Sequence, residues 1–228
     1  ALPTIRYAIE QRARVIIASH LGRPKGKNKK EFSLEPVAQC LAEALNTDVT
    51  LTDDCVGEGI EVISQNLQDG QAMILENLRF HPGEEENSEK FCDQLLRLTD
   101  IYITDAFGTA HRKHASTYGL PVKVDQKGIG FLIAKELKYF NEILENPKKP
   151  FFALLGGAKV KDKIQALDRL LTRTHGLAIG GMMAFTFLKA KNLALPEGAK
   201  TPSNEEINAA KSVLRIAEKN QIPVLPVS

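Results

Sequence analysis

The sequence predicts an α/β fold, because short apolar runs that read as strands alternate with helical patterns almost throughout. Two further observations agree. Arg23, Arg79 and Arg112 each fall just past such a run, read as a buried strand, in VIIASHLGR, AMILENLR and IYITDAFGTAHR. Glycine pairs follow two later runs, in FFALLGG and LAIGG. In an open parallel sheet the carboxyl ends of the strands are where ligands bind, so charged forks and glycine turns at those ends are expected features.

Each element has its own warrant. The opening LPTIRYAIEQ reads as a helix with Pro3 in its first turn, where the missing N–H costs nothing. Residues 15–18 form the first strand, read as buried. Leu34, Val37, Ala38, Leu41 and Leu45 then recur at helical spacings of 3 and 4, with Ser33 as N-cap. Val49–Leu51, 72–75 and Ile101–Thr104 are the next strands. Between the last two, Ser88 caps a helix that turns Phe91, Leu95 and Leu98 inward. A longer helix spans 130–145 and stops at Asn146-Pro147. A second α/β run follows, with a strand at 151–155, a helix from Val160, a strand at 177–179 and a helix from Met183. Ser203 and Glu206 make an S-x-x-E capping box for a helix reaching Asn220, before the strand-like PVLPV. The crossovers are expected to be right-handed. Both ends read as cut, and the second run has few strands, so the chain is expected to be an internal segment of a longer protein.

Bulk properties exclude several function classes. With 30 basic against 28 acidic residues and a net charge of +2, no nucleic-acid or membrane partner is expected. Basic side chains are therefore local tools. Hydrophobic residues make up 43%, enough for a sizeable core. Cys40, Cys55 and Cys92 show no C-x-x-C spacing and fit reduced thiols in a cytoplasmic protein. No run approaches the ~18 apolar residues of a membrane span. The runs KGKNKK at 25–30 and EEE at 84–86 read as solvated loops.

Two sites emerge. In the first, SHLGRP places His20, Leu21, Gly22 and Arg23 after the first strand, and Arg79 and Arg112 follow later strands. Three planar, permanently charged forks at one sheet edge suit a small, highly anionic ligand. The bland alternative is three ordinary surface arginines. His111 and His114 flank Arg112, but a zinc site lacks an obvious third ligand. In the second site, GGAKVKDK follows a strand. Gly156, Gly157 and Ala158 let a phosphate approach the backbone at a helix N-terminus. Lys159 and Lys163 share one face of that helix. Lysines there oppose the helix dipole, a cost that a bound polyphosphate reverses. Gly180 and Gly181 open the next helix, and Met182, Met183, Phe185 and Phe187 are core or an adenine-facing wall, with core preferred. Neither a Walker A loop nor the G-x-G-x-x-G fingerprint occurs, which argues against a dinucleotide-dependent oxidoreductase.

Taken together, SHLGRP, LENLRF, DAFGTAHRKHAS, GFLIAKEL, LLGGAKVKDKI and GGMMAFTFL resemble the phosphoglycerate kinase family, in that family's order and along essentially the whole chain. The resemblance implies two Rossmann-like, three-layer parallel-sheet domains joined by a helix, the second incomplete. They are a substrate domain at 1–129, a connecting helix at 130–147 and a partial nucleotide domain at 148–228. It implies a cytosolic glycolytic monomer that moves a phosphoryl group reversibly between 1,3-bisphosphoglycerate and ADP, giving 3-phosphoglycerate and ATP, with Mg2+ and hinge-bending closure. His20, Leu21, Gly22, Arg23, Arg79 and Arg112 would hold 3-phosphoglycerate, and Arg112 would also serve catalysis. Lys159 would sit by the transferring phosphoryl, and Lys163 on the nucleotide phosphates. Gly156, Gly157, Ala158, Gly180 and Gly181 would line the nucleotide pocket. The sequence departs from the family in lacking its opening D-x-N segment, its acidic metal ligand, its ribose-binding acid and its late glycine-rich loop, so no metal ligand is expected here. Met182 stands where a glycine is often found and Lys113 where alanine is frequent. The chain alone is expected to be inactive. The rival reading is a non-catalytic phosphometabolite-binding α/β module.

Overall fold

The computed structural model describes residues 1–145, 147–157, 167 and 169–227. Contacts divide the chain into two compact units, Ala1–Tyr139 and Phe140–Ser228. The division falls within one helix, Phe131–Glu145.

The first unit opens with α1 (Leu2–Glu10), which carries a proline in its first turn, and β1 (Val15–Ile17). Helix α2 (Glu35–Leu45) ends where Asn46 takes the left-handed conformation, a common helix stop. Strand β2 (Val49–Leu51), helix α3 (Glu58–Asn66) and strand β3 (Ala72–Ile74) follow. The three strands form one parallel sheet in the order β1-β3-β2, with Ile17, Ile74 and Leu51 in register. Strand β3 is central and wholly buried, as its apolar run requires. Burial of each such side chain contributes about 1.5–3 kcal/mol. Its Met73 packs with Cys55, Leu75, Phe91 and Leu95, while Ile74 packs with Leu34 and Ala38 on the opposite face.

Next come α4 (Pro82–Glu85), α5 (Glu89–Leu96), β4 (Ile101–Thr104), a π-helical turn at Ala115–Gly119, α6 (Leu120–Lys123), β5 (Gln126–Ile129) and α7 (Phe131–Glu145). Strands β4 and β5 pair in parallel as a separate two-stranded sheet. Two expectations need correction here. Strands β1 and β4 are not fully buried. All of β1 is half-exposed, and β4 alternates, with Ile101 57% exposed, because among the described residues each pairs with only one neighbour. Ser33 is not the cap of α2, whose N-cap is Leu34. Its hydroxyl accepts from Glu35 N–H at 3.2 Å but donates to Glu76 at 2.7 Å. Ser88 does stand at the N-cap of α5, without a side-chain bond, and Phe91, Leu95 and Leu98 are buried as the spacing predicts.

In the second unit, β6 (Phe152–Gly156), β7 (Gly176–Gly180) and β8 (Val224–Pro226) form a parallel sheet in the order β6-β7-β8. Helices α8 (Met182–Ala190) and α9 (Asn204–Lys219) cover one face, with Leu177, Ile179, Met183, Phe187, Val213 and Val224 in one core. Met183 and Phe187 are thus core, while Met182 is exposed. The capping box of α9 forms as the sequence predicts, with Ser203 N–H donating to Glu206 at 2.9 Å and Glu206 N–H donating to the Ser203 hydroxyl at 3.3 Å. The helix expected from Val160 lies outside the described residues. Among the described residues no helix is long and apolar enough to cross a membrane. All strand pairs described are parallel, as an α/β fold demands.

Candidate functional site

The first site is built on the carboxyl ends of β1 and β3. After β1 the chain turns at Gly22, whose φ of 62° belongs to the left-handed region. A Cβ there would stand 2.5 Å from Phe32 Cε1, so only glycine fits this turn. The turn presents the Gly22 carbonyl, which accepts a 2.8 Å hydrogen bond from Arg79 Nη1. Two residues just past β3 fix this arrangement, and the sequence reading did not single them out. The buried Asn77 amide donates to the carbonyls of Leu21 (2.8 Å) and Phe32 (2.9 Å), while its oxygen accepts from Arg79 N–H at 3.0 Å. Glu76 accepts from the backbone N–H groups of Leu34 (2.8 Å) and Asn77 (2.7 Å). Those bonds lock the loop after β1 against the loop after β3.

Arg79 is consequently only 4% exposed, an unusual position for a guanidinium. Among the described residues the carboxylate that ion-pairs with it is Glu85, with an oxygen 3.5 Å from Nε. Arg79 Nε and Nη2, and Nε of Arg112, are buried and have no hydrogen-bond partner among the described residues. The electrostatics join the remaining members. Burial holds the His20 pKa below its ordinary 6.5, and Arg79, Arg112 and His114 push the same way. Burial likewise lowers the Arg79 pKa; Glu85 opposes it, while Arg112 and Arg23 add to it. His20, Arg23, Arg79, Arg112 and His114 therefore share one field. Leu21 and Arg23 are exposed, and His20 and Arg112 half-buried.

A buried guanidinium with free N–H groups, beside other cations, is costly unless an anion completes it. Planar guanidinium forks in such a setting are able to grip carboxylate or phosphate oxygens in pairs.

One sequence expectation is overturned nearby. The run at 84–86 is not a solvated loop, because Glu84 is 3% exposed and sits in α4. Its two oxygens accept from the Ser116 hydroxyl at 2.6 Å and the Ser116 N–H at 3.0 Å, and Oε1 lies 3.8 Å from His114 Nδ1. Glu84 and Glu85 are therefore the supports of the cationic cluster. His111, by contrast, is exposed.

The second site is described in part. Lys159, Lys163 and Ala158 lie outside the described residues. The glycines do come together: Gly156 and Gly180 are cross-strand partners at the ends of β6 and β7. Gly181 is the N-cap of α8, with φ 64° and ψ −157°, a conformation that only glycine adopts readily. Met183 N–H donates to the Gly157 carbonyl at 3.0 Å, which ties the two turns into one unit. Among the described residues no side chain caps α8, and a helix N-terminus carries the partial positive charge that favours phosphate. A separate groove of about 580 Å³ lies between α3 and α5, lined by Glu58, Glu61, Asp93 and Arg97 among others. None of the predicted site residues lines it.

Comparison with known proteins places this geometry. The family model for phosphoglycerate kinase matches residues 1–228. A phosphoglycerate kinase from an Anaeromyxobacter species is 49% identical over 227 residues, covering 99% of this chain and 57% of the relative. One from Chlorobium phaeobacteroides is 47% identical, covering 99% and 56%. Among solved structures, phosphoglycerate kinase from Coxiella burnetii aligns with a TM-score of 0.81 at 43% identity, over 100% of this chain and 57% of that one. The Pyrococcus horikoshii enzyme gives 0.77 at 31% identity, over 96% and 55%. The chain thus spans little more than half the length of the relatives it matches.

Proposed function

We propose, because this chain belongs to the phosphoglycerate kinase family, that it serves reversible phosphoryl transfer between 1,3-bisphosphoglycerate and ADP, giving 3-phosphoglycerate and ATP. The observation that carries the reading is the set of buried, unpartnered guanidinium N–H groups on Arg79 and Arg112, inside a field shared with His20 and Arg23. A phosphorylated three-carbon acid supplies two anionic ends for such a set. Residues 1–129 then form the substrate part, 130–147 the connector and 148–228 the nucleotide part.

Phosphoryl transfer needs little covalent help from protein; alignment and stabilisation of charge on the moving group supply the rate. The arginine forks hold the acid by its oxygens and fix its orientation. Because His20 has a lowered pKa, it enters as a neutral hydrogen-bond donor and takes a proton once the anion is seated. Gly156, Gly157, Gly180 and Gly181 receive the nucleotide phosphates on backbone N–H groups, which add no steric bulk. Mg2+ arrives as part of the nucleotide substrate. Among the described residues no group of three His, Cys, Asp or Glu side chains gathers at these turns. Lys159 neutralises charge on the transferring group, Lys163 holds the nucleotide phosphates, and Ala158 keeps their approach open.

Two substitutions test the assignment. Arg112→Ala should weaken 3-phosphoglycerate binding, measured by calorimetry, and leave ADP affinity intact. Loss of ADP affinity alone would mean that the two sites are reversed. In the full-length protein, Lys159→Ala should lower turnover about 100-fold or more, as for a transition-state contact. Unchanged turnover would remove that role.

A further inference from the structure

A cluster outside both sites joins the loop after β2 to the segment after β3. Cys55 is 1% exposed, Asp54 is exposed and His81 is half-buried. His81 Nε2 lies 2.6 Å from Asp54 Oδ1, and the same oxygen accepts from Cys55 N–H at 2.6 Å. One ligand atom from each of the three side chains falls within 4.8 Å of the others. The scaffold beneath them is fixed. The Thr52 hydroxyl donates to the Asp54 carbonyl at 2.5 Å, and the His81 ring stacks on Phe91 with centroids 5.1 Å apart at 24°.

A half-exposed His–Asp pair alone would be an ordinary surface contact. Here the third member is a buried sulfur, and the imidazole edge offered to the pair is Nε2. We propose that Asp54, Cys55 and His81 form a binding site for a thiophilic divalent cation of the zinc class, with water as the fourth ligand. Sulfur, nitrogen and oxygen donors at about 2.0–2.3 Å satisfy a tetrahedral ion, which requires donor pairs roughly 3.3–3.7 Å apart. Opening the 2.6 Å contact to that separation needs a shift of about 0.7 Å at Asp54, whose exposed side chain would exchange its direct His81 contact for a bond to the cation. Mg2+ prefers all-oxygen octahedra and does not fit this donor set. The cation would clip the β2 and β3 loops together, two residues beyond Arg79.

Co2+ titration of the protein tests this. One equivalent should produce a thiolate-to-cobalt charge-transfer band and the intense visible bands of tetrahedral cobalt. Zn2+ should abolish both, and excess Mg2+ should not. Cys55→Ala should remove the charge-transfer band, while Cys40→Ala and Cys92→Ala should leave it. Because Cys55 is buried, His81→Gln and Asp54→Asn provide a second arm on more exposed side chains, each lowering Co2+ affinity at least ~10-fold. Absence of the band, its survival in Cys55→Ala, or unchanged affinity in both second-arm variants overturns the proposal.

Discussion

Replacing Arg79 by methionine separates the proposed role of its guanidinium from a purely architectural one. Among the described residues the side chain makes one hydrogen bond, from Nη1 to the Gly22 carbonyl, and keeps Nε, 3.5 Å from Glu85, and Nη2 buried without a hydrogen bond. Suppose those two donors meet oxygens of a bound anion. Hydrogen bonds to charged groups contribute about 1.5–3 kcal/mol each, so their loss removes roughly 3–6 kcal/mol of binding. At 1.4 kcal/mol per decade that is about 100-fold to 10,000-fold weaker affinity for 3-phosphoglycerate. Stability should respond far less. The Gly22 carbonyl loses its donor, a cost of about 1–3 kcal/mol. Against this, a buried cation is removed from beside Arg112 and Arg23, a relief of comparable size. The unliganded variant should therefore unfold within about 1 kcal/mol of the parent. Calorimetry with 3-phosphoglycerate, set beside thermal unfolding without ligand, reads both quantities. Arg79→Lys keeps the charge but not the fork, and should still lose about 10-fold or more in affinity. Affinity within about 3-fold of the parent for the methionine variant, under 1 kcal/mol, would refute the reasoning.

Two further outcomes follow from neighbouring groups. His20 has a folded pKa below 6.5, so the stability tied to it is complete above pH 6.5 and is lost as pH falls through the folded value. Seating an anion raises that pKa, so 3-phosphoglycerate binding should take up protons and tighten as pH drops below 7. The ligand phosphate also titrates near pH ~6. The difference between the parent and His20→Asn, measured calorimetrically in buffers of unlike ionisation heat, isolates the histidine; no difference would remove it from the site. Glu84→Gln leaves Ser116 with one acceptor too few in a buried setting, and should cost about 2–3 kcal/mol in urea unfolding. A change under about 0.5 kcal/mol would return Glu84 to the solvent.

Features carried by local chemistry were legible in the sequence. Strand β3 announced itself because all of its side chains are apolar and buried, and the α9 cap because S-x-x-E closes within one turn. Helix α3 escaped detection for a local reason as well. Gly57 and Gly59 interrupt its start, and of Ile60, Val62 and Ile63 only Ile60 is buried, so no apolar stripe stands out. Strand β5, with the sequence QKGI, has three exposed residues and takes its extended form from pairing with β4, which no local pattern reveals. The arginines were visible because strand ends are privileged positions, but burial of Arg79 was not.

The supports of the site show where sequence reading stops. Glu84, Glu85 and Glu86 are three adjacent acids of one chemistry, yet the first is buried on Ser116, the second faces Arg79, and the third only ends α4. What tells them apart is a partner 32 residues away and the direction each helical position faces. The same reasoning covers Asp54, Cys55 and His81. They meet because β2 and β3 are parallel neighbours in register from Val49 opposite Ala72 to Leu51 opposite Ile74, which delivers the segments that follow to one sheet edge. Parallel pairing thus does for the cation ligands what it does for Arg23 and Arg79. It converts positions just beyond separate apolar runs into one local concentration of chemistry, and side-chain identity then decides whether that edge receives an anion or a metal.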